Sequence, residues 1–197
     1  MDKLSNAGKI ILINGPSSVG KSTLARGLQA KLEEPFWHYS FDHLRVADAN
    51  VLPMARIRSK EFDWAALRPA VFEGFHRSLV AFAGAGNNLV VDHIVETQAW
   101  MDRLVDLLAA FDVFFIGVFC PLPELERREA ARGDRRVGEA RADFAVVHNH
   151  CEYDLELTST RPVEQLVDVT LSAWKKRTAP GAFERMADRR GRIKGDS

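Results

Sequence analysis

Cysteine is scarce in this chain of 197 residues: Cys120 and Cys151 are the only two, too few for a disulfide framework and not spaced as a CxxC metal knuckle. Long hydrophobic runs are also missing. The longest, 113–122, holds ten residues, about half of what a membrane-spanning helix needs. The opening residues, Met1-Asp2-Lys3-Leu4-Ser5-Asn6, have no apolar stretch of the kind a secretory signal carries. Charge of one sign is not in excess, since Lys plus Arg total 27 and Asp plus Glu total 27. Whole-chain attraction to nucleic acid or an anionic membrane is therefore not expected. Internal repeats and low-complexity linkers are absent as well. With 46% apolar and 27% charged residues, the composition is that of an ordinary globular domain, and the length fits one. The expectation is a soluble, cytoplasmic, single-domain protein.

What is present is an alternation of strand and helix patterns. The aliphatic run 9–14 reads as a buried strand, and Leu24, Ala25, Leu28 and Leu32 mark a helix over 21–32. An aromatic strand follows over 36–41, then a less regular stretch over 48–63 with Arg56, Arg58 and Lys60. Leu67, Val71, Phe75, Leu79 and Phe82 form one stripe of a helix over 64–82. Further strands are expected over 88–92, 113–120 and 154–159, and further helices over 100–110, 122–132, 141–151 and 162–174. Alternation of this kind predicts an α/β fold of about five parallel strands with helices on both faces, because parallel neighbours need crossovers. The main domain then spans 1–174. The tail 175–197 carries eight Lys/Arg against three Asp/Glu, with few residues suited to a core.

Gly15-Pro16-Ser17-Ser18-Val19-Gly20-Lys21-Ser22 satisfies G-x-x-x-x-G-K-[ST], directly after the first strand and opening the first helix. Glycines at both ends let successive backbone N–H groups converge on a phosphate, and the helix N-terminus adds positive potential there. Lys21 is expected to reach the β- and γ-phosphates, Ser22 to supply a magnesium ligand, and Thr23 to complete the nucleotide site. The implied cofactors are ATP and Mg2+.

In open parallel sheets, ligands gather beyond the carboxyl ends of the strands. Asp42 and Asp92 stand at two such ends. Phosphoryl transfer to an alcohol needs a proton acceptor and a group that helps hold magnesium. Asp42 suits the first role; Asp92, ending Leu89-Val90-Val91-Asp92, suits the second. Either residue could instead be a helix N-cap. Trp37 and Tyr39 lead into Asp42 and are candidate substrate contacts. The segment 124–141 holds six Arg against five Asp/Glu. It reads as a lid in which Arg128, Arg132 and Arg135 close on the phosphates, with a solvated helix as the alternative. His148, His150 and Cys151 have poor spacing for a metal on one helix face.

The phosphate loop together with Glu34-Pro35-Phe36-Trp37 and Phe41-Asp42 resembles the start of the chloramphenicol phosphotransferase-like family. Ala131-Arg132-Gly133-Asp134-Arg135, Val146-Val147-His148 and Glu152-Tyr153-Asp154 are similar to that family as well. The resemblance covers about residues 10–174. It implies a nucleotide-kinase-like fold, ATP-dependent phosphorylation of a small alcohol such as chloramphenicol, Asp42 as catalytic base and an arginine-bearing lid. The chain departs from the family pattern at His43 and His93, each beside one of the two strand-end aspartates, where the acceptor is expected. Other acceptors therefore stay open, among them a sugar acid, a shikimate-like alcohol or a nucleoside monophosphate. So do a nucleotide-binding regulatory module and an ATPase acting on RNA through the tail.

Overall fold

The structure is a computed structural model that describes residues 4, 6–45, 51–132 and 138–195. Five strands form one parallel sheet: β1 (Ile10–Asn14), β2 (Phe36–Ser40), β3 (Asn88–His93), β4 (Val113–Phe119) and β5 (Leu155–Thr158), in the order β2-β3-β1-β4-β5. The helices are α1 (Lys21–Lys31), α2 (Phe41–Arg45), α3 (Met54–Arg58), α4 (Trp64–Gly84), α5 (Gln98–Leu108), α6 (Leu122–Arg132), α7 (Glu139–Phe144), α8 (Val163–Lys176) and α9 (Ala182–Gly195).

β1 explains the layering. Its side chains alternate, Ile10 and Leu12 joining the core on the α4, α5 and α9 side, Ile11 and Ile13 that on the α1 and α8 side. All four are fully buried, as a central parallel strand requires, and each contributes about 1.5–3 kcal/mol relative to exposure. Because β1 is central, the loop leaving it is flanked by the ends of β3 and β4. Register places Asp92 beside Ile13 on one side and beside Ser40 on the other. β2 lies beyond β3, so Asp42 sits one strand further out than Asp92.

Two expectations need correcting. The helix anticipated over 141–151 begins earlier and is short: α7 ends at Phe144 and hydrogen-bonded turns continue to residue 150. Its start is set by Glu129, whose buried carboxylate accepts the N–H groups of Gly138 (2.7 Å) and Ala140 (2.8 Å). More consequentially, the segment after Trp174 does build core. Ala182, Phe183 and Met186 are buried, Phe183 packing edge-on to Phe115 at 5.3 Å between centroids. The tail's positive charge meets acids on the body: Arg177 pairs with Asp112, Arg185 and Arg189 with Glu152, and Arg190 with Asp106. Asp154 accepts the Ala182 N–H (2.7 Å) at the start of α9. Composition alone hid this, because three apolar residues within the first two turns, Ala182, Phe183 and Met186, suffice to dock an otherwise charged helix. Among the described residues, no helix is long and apolar enough to cross a membrane.

Candidate active site

The phosphate loop is shaped by sterics before any side chain acts. A Cβ on Gly15 would lie 2.6 Å from the Val118 carbonyl oxygen, so only glycine lets β1 turn there against β4. Gly20 has φ +102°, a left-handed conformation that favours glycine and ends the loop at the N-terminus of α1. Lys21 is buried, and its ammonium donates to the carbonyls of Gly15 (2.8 Å) and Pro16 (2.9 Å). Its charge therefore lies along the loop.

Asp92, at the end of β3, is 4% exposed. Its Oδ1 accepts the Ser40 hydroxyl (2.6 Å) and its Oδ2 faces His38 Nε2 at 2.9 Å. The Ser22 hydroxyl lies against the same carboxylate. Burial alone would raise the pKa of this acid. The hydrogen bonds from His38, Ser40 and Ser22, with the Lys21 charge, outweigh it and hold the group well below the usual carboxylate range. A buried acid beside the phosphate loop is thus kept ionised.

These residues open onto one cleft of about 1450 Å³, lined by Ser17, Ser18 and Gly20 to Thr23 on one side and by Asp42, Arg58, Trp64 and Arg68 on the other. Asp42, in the first turn of α2, lines it with its side chain 42% exposed and its Oδ1 3.6 Å from Arg45. Across the cleft, Arg128 in α6 donates to Glu124 (2.7 Å), to the Ser159 carbonyl (2.8 Å) and to the Val19 carbonyl (3.3 Å), which ties α6 to the phosphate loop. The Arg132 side chain and Arg135 lie outside the described residues.

Trp37 and Tyr39 do not reach this cleft, which corrects their reading as substrate contacts. Strand side chains alternate, so on β2 the residues turned toward Asp92 are His38 and Ser40. Trp37 and Tyr39 face α4 instead, packing on Phe82 at 5.5 and 5.3 Å between ring centroids. His38 was missed because nothing in sequence links it to Asp92, 54 residues away. The same period of two, applied to β2, could have found it.

Other residues in and around the cleft have partners that sequence reasoning did not assign. Asp143 in α7 accepts the Ser17 N–H at 2.9 Å, placing a carboxylate on the phosphate loop. On the other wall, His93 and His76 meet through their Nε2 atoms at 2.9 Å, both buried, with His93 stacked on Trp100. Burial pushes His76 down to about 4 and His93 well below its ordinary value, so both are neutral near pH 7, one donating and one accepting. His148 stacks on Phe119 at 3.9 Å and hydrogen bonds the Tyr153 hydroxyl at 2.7 Å, a structural role near the end of β1.

Residues 8–175 match the model of the chloramphenicol phosphotransferase-like family. The chain belongs to that family. Two Mycobacterium tuberculosis proteins, from strains H37Rv and CDC 1551 / Oshkosh and provisionally named O-phosphotransferases, are 32% identical to it over 203 residues, covering 92% of this chain and 89% of theirs. Solved structures agree on the fold. The M. tuberculosis APS kinase in complex with AMPPNP and APS matches with a TM-score of 0.64 at 20% identity, covering 86% of this chain and 98% of its own. The Aquifex aeolicus shikimate kinase matches at 0.57 and 16%, covering 87% and 99%. This member of the family is thus an ATP-dependent phosphotransferase on a P-loop kinase fold, with a small molecule as substrate.

Proposed function

We propose that this enzyme uses Mg2+ and ATP to phosphorylate a hydroxyl of a small molecule, chloramphenicol or a similar alcohol. The observation that carries the reading is that the phosphate loop, the ionised Asp92 and the half-exposed Asp42 all line one cleft. Gly15 to Thr23 cradle the nucleotide phosphates, and Lys21 neutralises charge that develops on the transferred group. The oxygens of Asp92 and Ser22 fit a hard cation that keeps most of its ligands from phosphate and water. Magnesium held by Asp92 and Ser22 would supply positive charge that offsets the charge of the phosphates during transfer. Asp42 accepts the proton of the attacking hydroxyl and orients it for in-line transfer. Arg128 steadies the loop; Arg132 and Arg135 are assigned, on sequence, to closing over the phosphates.

The test is phosphotransfer from labelled ATP to chloramphenicol and a panel of small alcohols, by wild type and by Asp42→Asn. Wild type yields a phosphorylated alcohol. The variant keeps its ATP affinity and loses about 10²–10⁴ in rate, the usual effect of removing a general base. No product from chloramphenicol retires that acceptor, and undiminished product from the variant retires Asp42 as base.

A further inference from the structure

The cleft is not electrically symmetrical. Its acceptor wall, past Asp42, is lined by the cations Arg45, Arg58, Lys60 and Arg68, with Arg26 of α1 beside them, against the acids Asp42, Asp92 and Glu96. Those three acids are already engaged, Asp92 by His38, Ser40 and Ser22. Asp42 lies 3.6 Å from Arg45, and Glu96 accepts from Arg68 at 2.6 Å. Arg68 is fixed further by Phe72 and Trp100, over whose rings its guanidinium lies at 4.9 and 4.6 Å. Arg26, Arg58 and Lys60 form no ion pair among the described residues, although Arg56, which does not line the cleft, pairs with Glu61 nearby. Lys60 is also held at φ +62°, a conformation uncommon for a residue with a side chain, immediately after α3.

A wall with spare positive charge next to a hydroxyl-binding site matches an acceptor that is itself an anion. A neutral alcohol would leave these cations without a counter-ion, while a carboxylate, sulfate or phosphate would supply one through charge-assisted hydrogen bonds. Building on the O-phosphotransfer reading, we infer that the physiological acceptor is an alcohol bearing an acid group, and that Arg58 and Lys60 bind that group while Asp42 takes the hydroxyl proton. Trp64 and Phe72 supply the apolar side of the same wall. Chloramphenicol, which carries no acid, is then at best a secondary acceptor.

Two measurements test this, both with the full chain. The first compares kcat/KM for alcohols matched in all but the acid: gluconate against glucitol, glycerol 3-phosphate against glycerol, and chloramphenicol as a further neutral. Acid-bearing members should be favoured by about tenfold or more, the equivalent of one charge-assisted contact. Arg58→Glu/Lys60→Glu should abolish that preference while the KM for ATP stays in place. Equal or better turnover of the neutral partners overturns the inference and leaves O-phosphotransfer standing. No turnover of any alcohol retires both.

The second titrates inorganic sulfate into the ADP-loaded protein by calorimetry. Wild type should bind sulfate in the acceptor half, and the charge-reversed protein, of unchanged thermal midpoint, should not. Sulfate binding that survives the reversal, or that is missing in wild type, overturns the inference whatever the acceptor screen yields.

Discussion

The two halves of the cleft are built by different means. The nucleotide half is one contiguous loop, residues 15–23, whose working parts are mostly backbone N–H groups aimed by two glycines and the start of α1. The acceptor half is assembled from β2, α2, α3, α4 and β3, with residues as far apart as His38 and Glu96 contributing side chains. Contiguity makes the first half robust to changes elsewhere and recurrent across many kinases. Dispersion makes the second half free to vary, so acceptor specificity is expected to reside there. The difference shows in the chemistry as well: one half relies mainly on fixed backbone dipoles beside the Lys21 charge, the other on side chains drawn from several elements.

The sharpest way to break this contrast is to remove one chemical group from each half. Lys21→Ala should lower turnover by about 10²–10³ or more for every acceptor and equally for ATP hydrolysis in its absence, since it deletes a charge on the phosphates themselves. The fold should persist, because the Lys21 ammonium donates to loop carbonyls and is not part of the apolar core. Asp42→Asn should instead spare ATP binding and any background hydrolysis while abolishing transfer to the alcohol. Steady-state kinetics with and without acceptor separate the two. If both variants lose hydrolysis and transfer in the same proportion, the halves are not chemically distinct.

The same contrast governs what could be read from sequence. The phosphate loop was legible because its parts are neighbours and its geometry leaves a glycine signature. Asp92 was legible because it ends an aliphatic strand. Trp37 and Tyr39 were misplaced because the strand was read as a segment leading into Asp42 instead of as two faces; period two puts them against Phe82 and gives His38 to Asp92. The His76–His93 contact joins a helix to a strand and has no local pattern at all. The docking of α9 was hidden by charge: Phe183 and Met186 sit among basic residues, and acids far upstream, Glu152, Asp154 and Asp106 among them, explain where that helix is tied. Short-range geometry was therefore readable, and pairings set by topology were not.

The acceptor half should also be the more sensitive to acid. His76, at about 4, and His93 are neutral in the folded protein and return to about 6.5 when unfolded. Because burial dominates both, with His76 opposing His93 and the Glu73 charge only partly offsetting it at His76, their folded values are depressed. Their contribution to stability is then complete above about pH 6.5 and is lost as pH falls from there through about 4. The loss should be on the order of 1–3 kcal/mol, ahead of the losses below pH 4 from carboxylates such as Glu73, itself lowered to about 2 by Arg103 and Arg77. Urea midpoints at pH 7 and pH 5 measure it. His76→Phe should flatten the difference, and a midpoint that moves equally in wild type and variant would show that the pair is not its source.

The smallest expected effect lies back in the nucleotide half. Asp143 sets a carboxylate on the Ser17 N–H, one of the amides of the phosphate loop. An anion at that position helps dock α7 onto the loop, but it also repels an incoming triphosphate. Asp143→Asn keeps the side chain's size and an oxygen able to accept the Ser17 N–H, so it removes charge with little change of shape. Partly exposed charges of this kind are worth up to about 1 kcal/mol, which is about two- to fivefold in affinity. ATP should therefore bind the variant about two- to fivefold more tightly, with the gain shrinking as salt is added and screening sets in. Fluorescence titration with a labelled ATP analogue at low and at physiological ionic strength reads both features. Weaker binding in the variant would mean that Asp143 serves mainly to organise the loop, its hydrogen bond outweighing its charge.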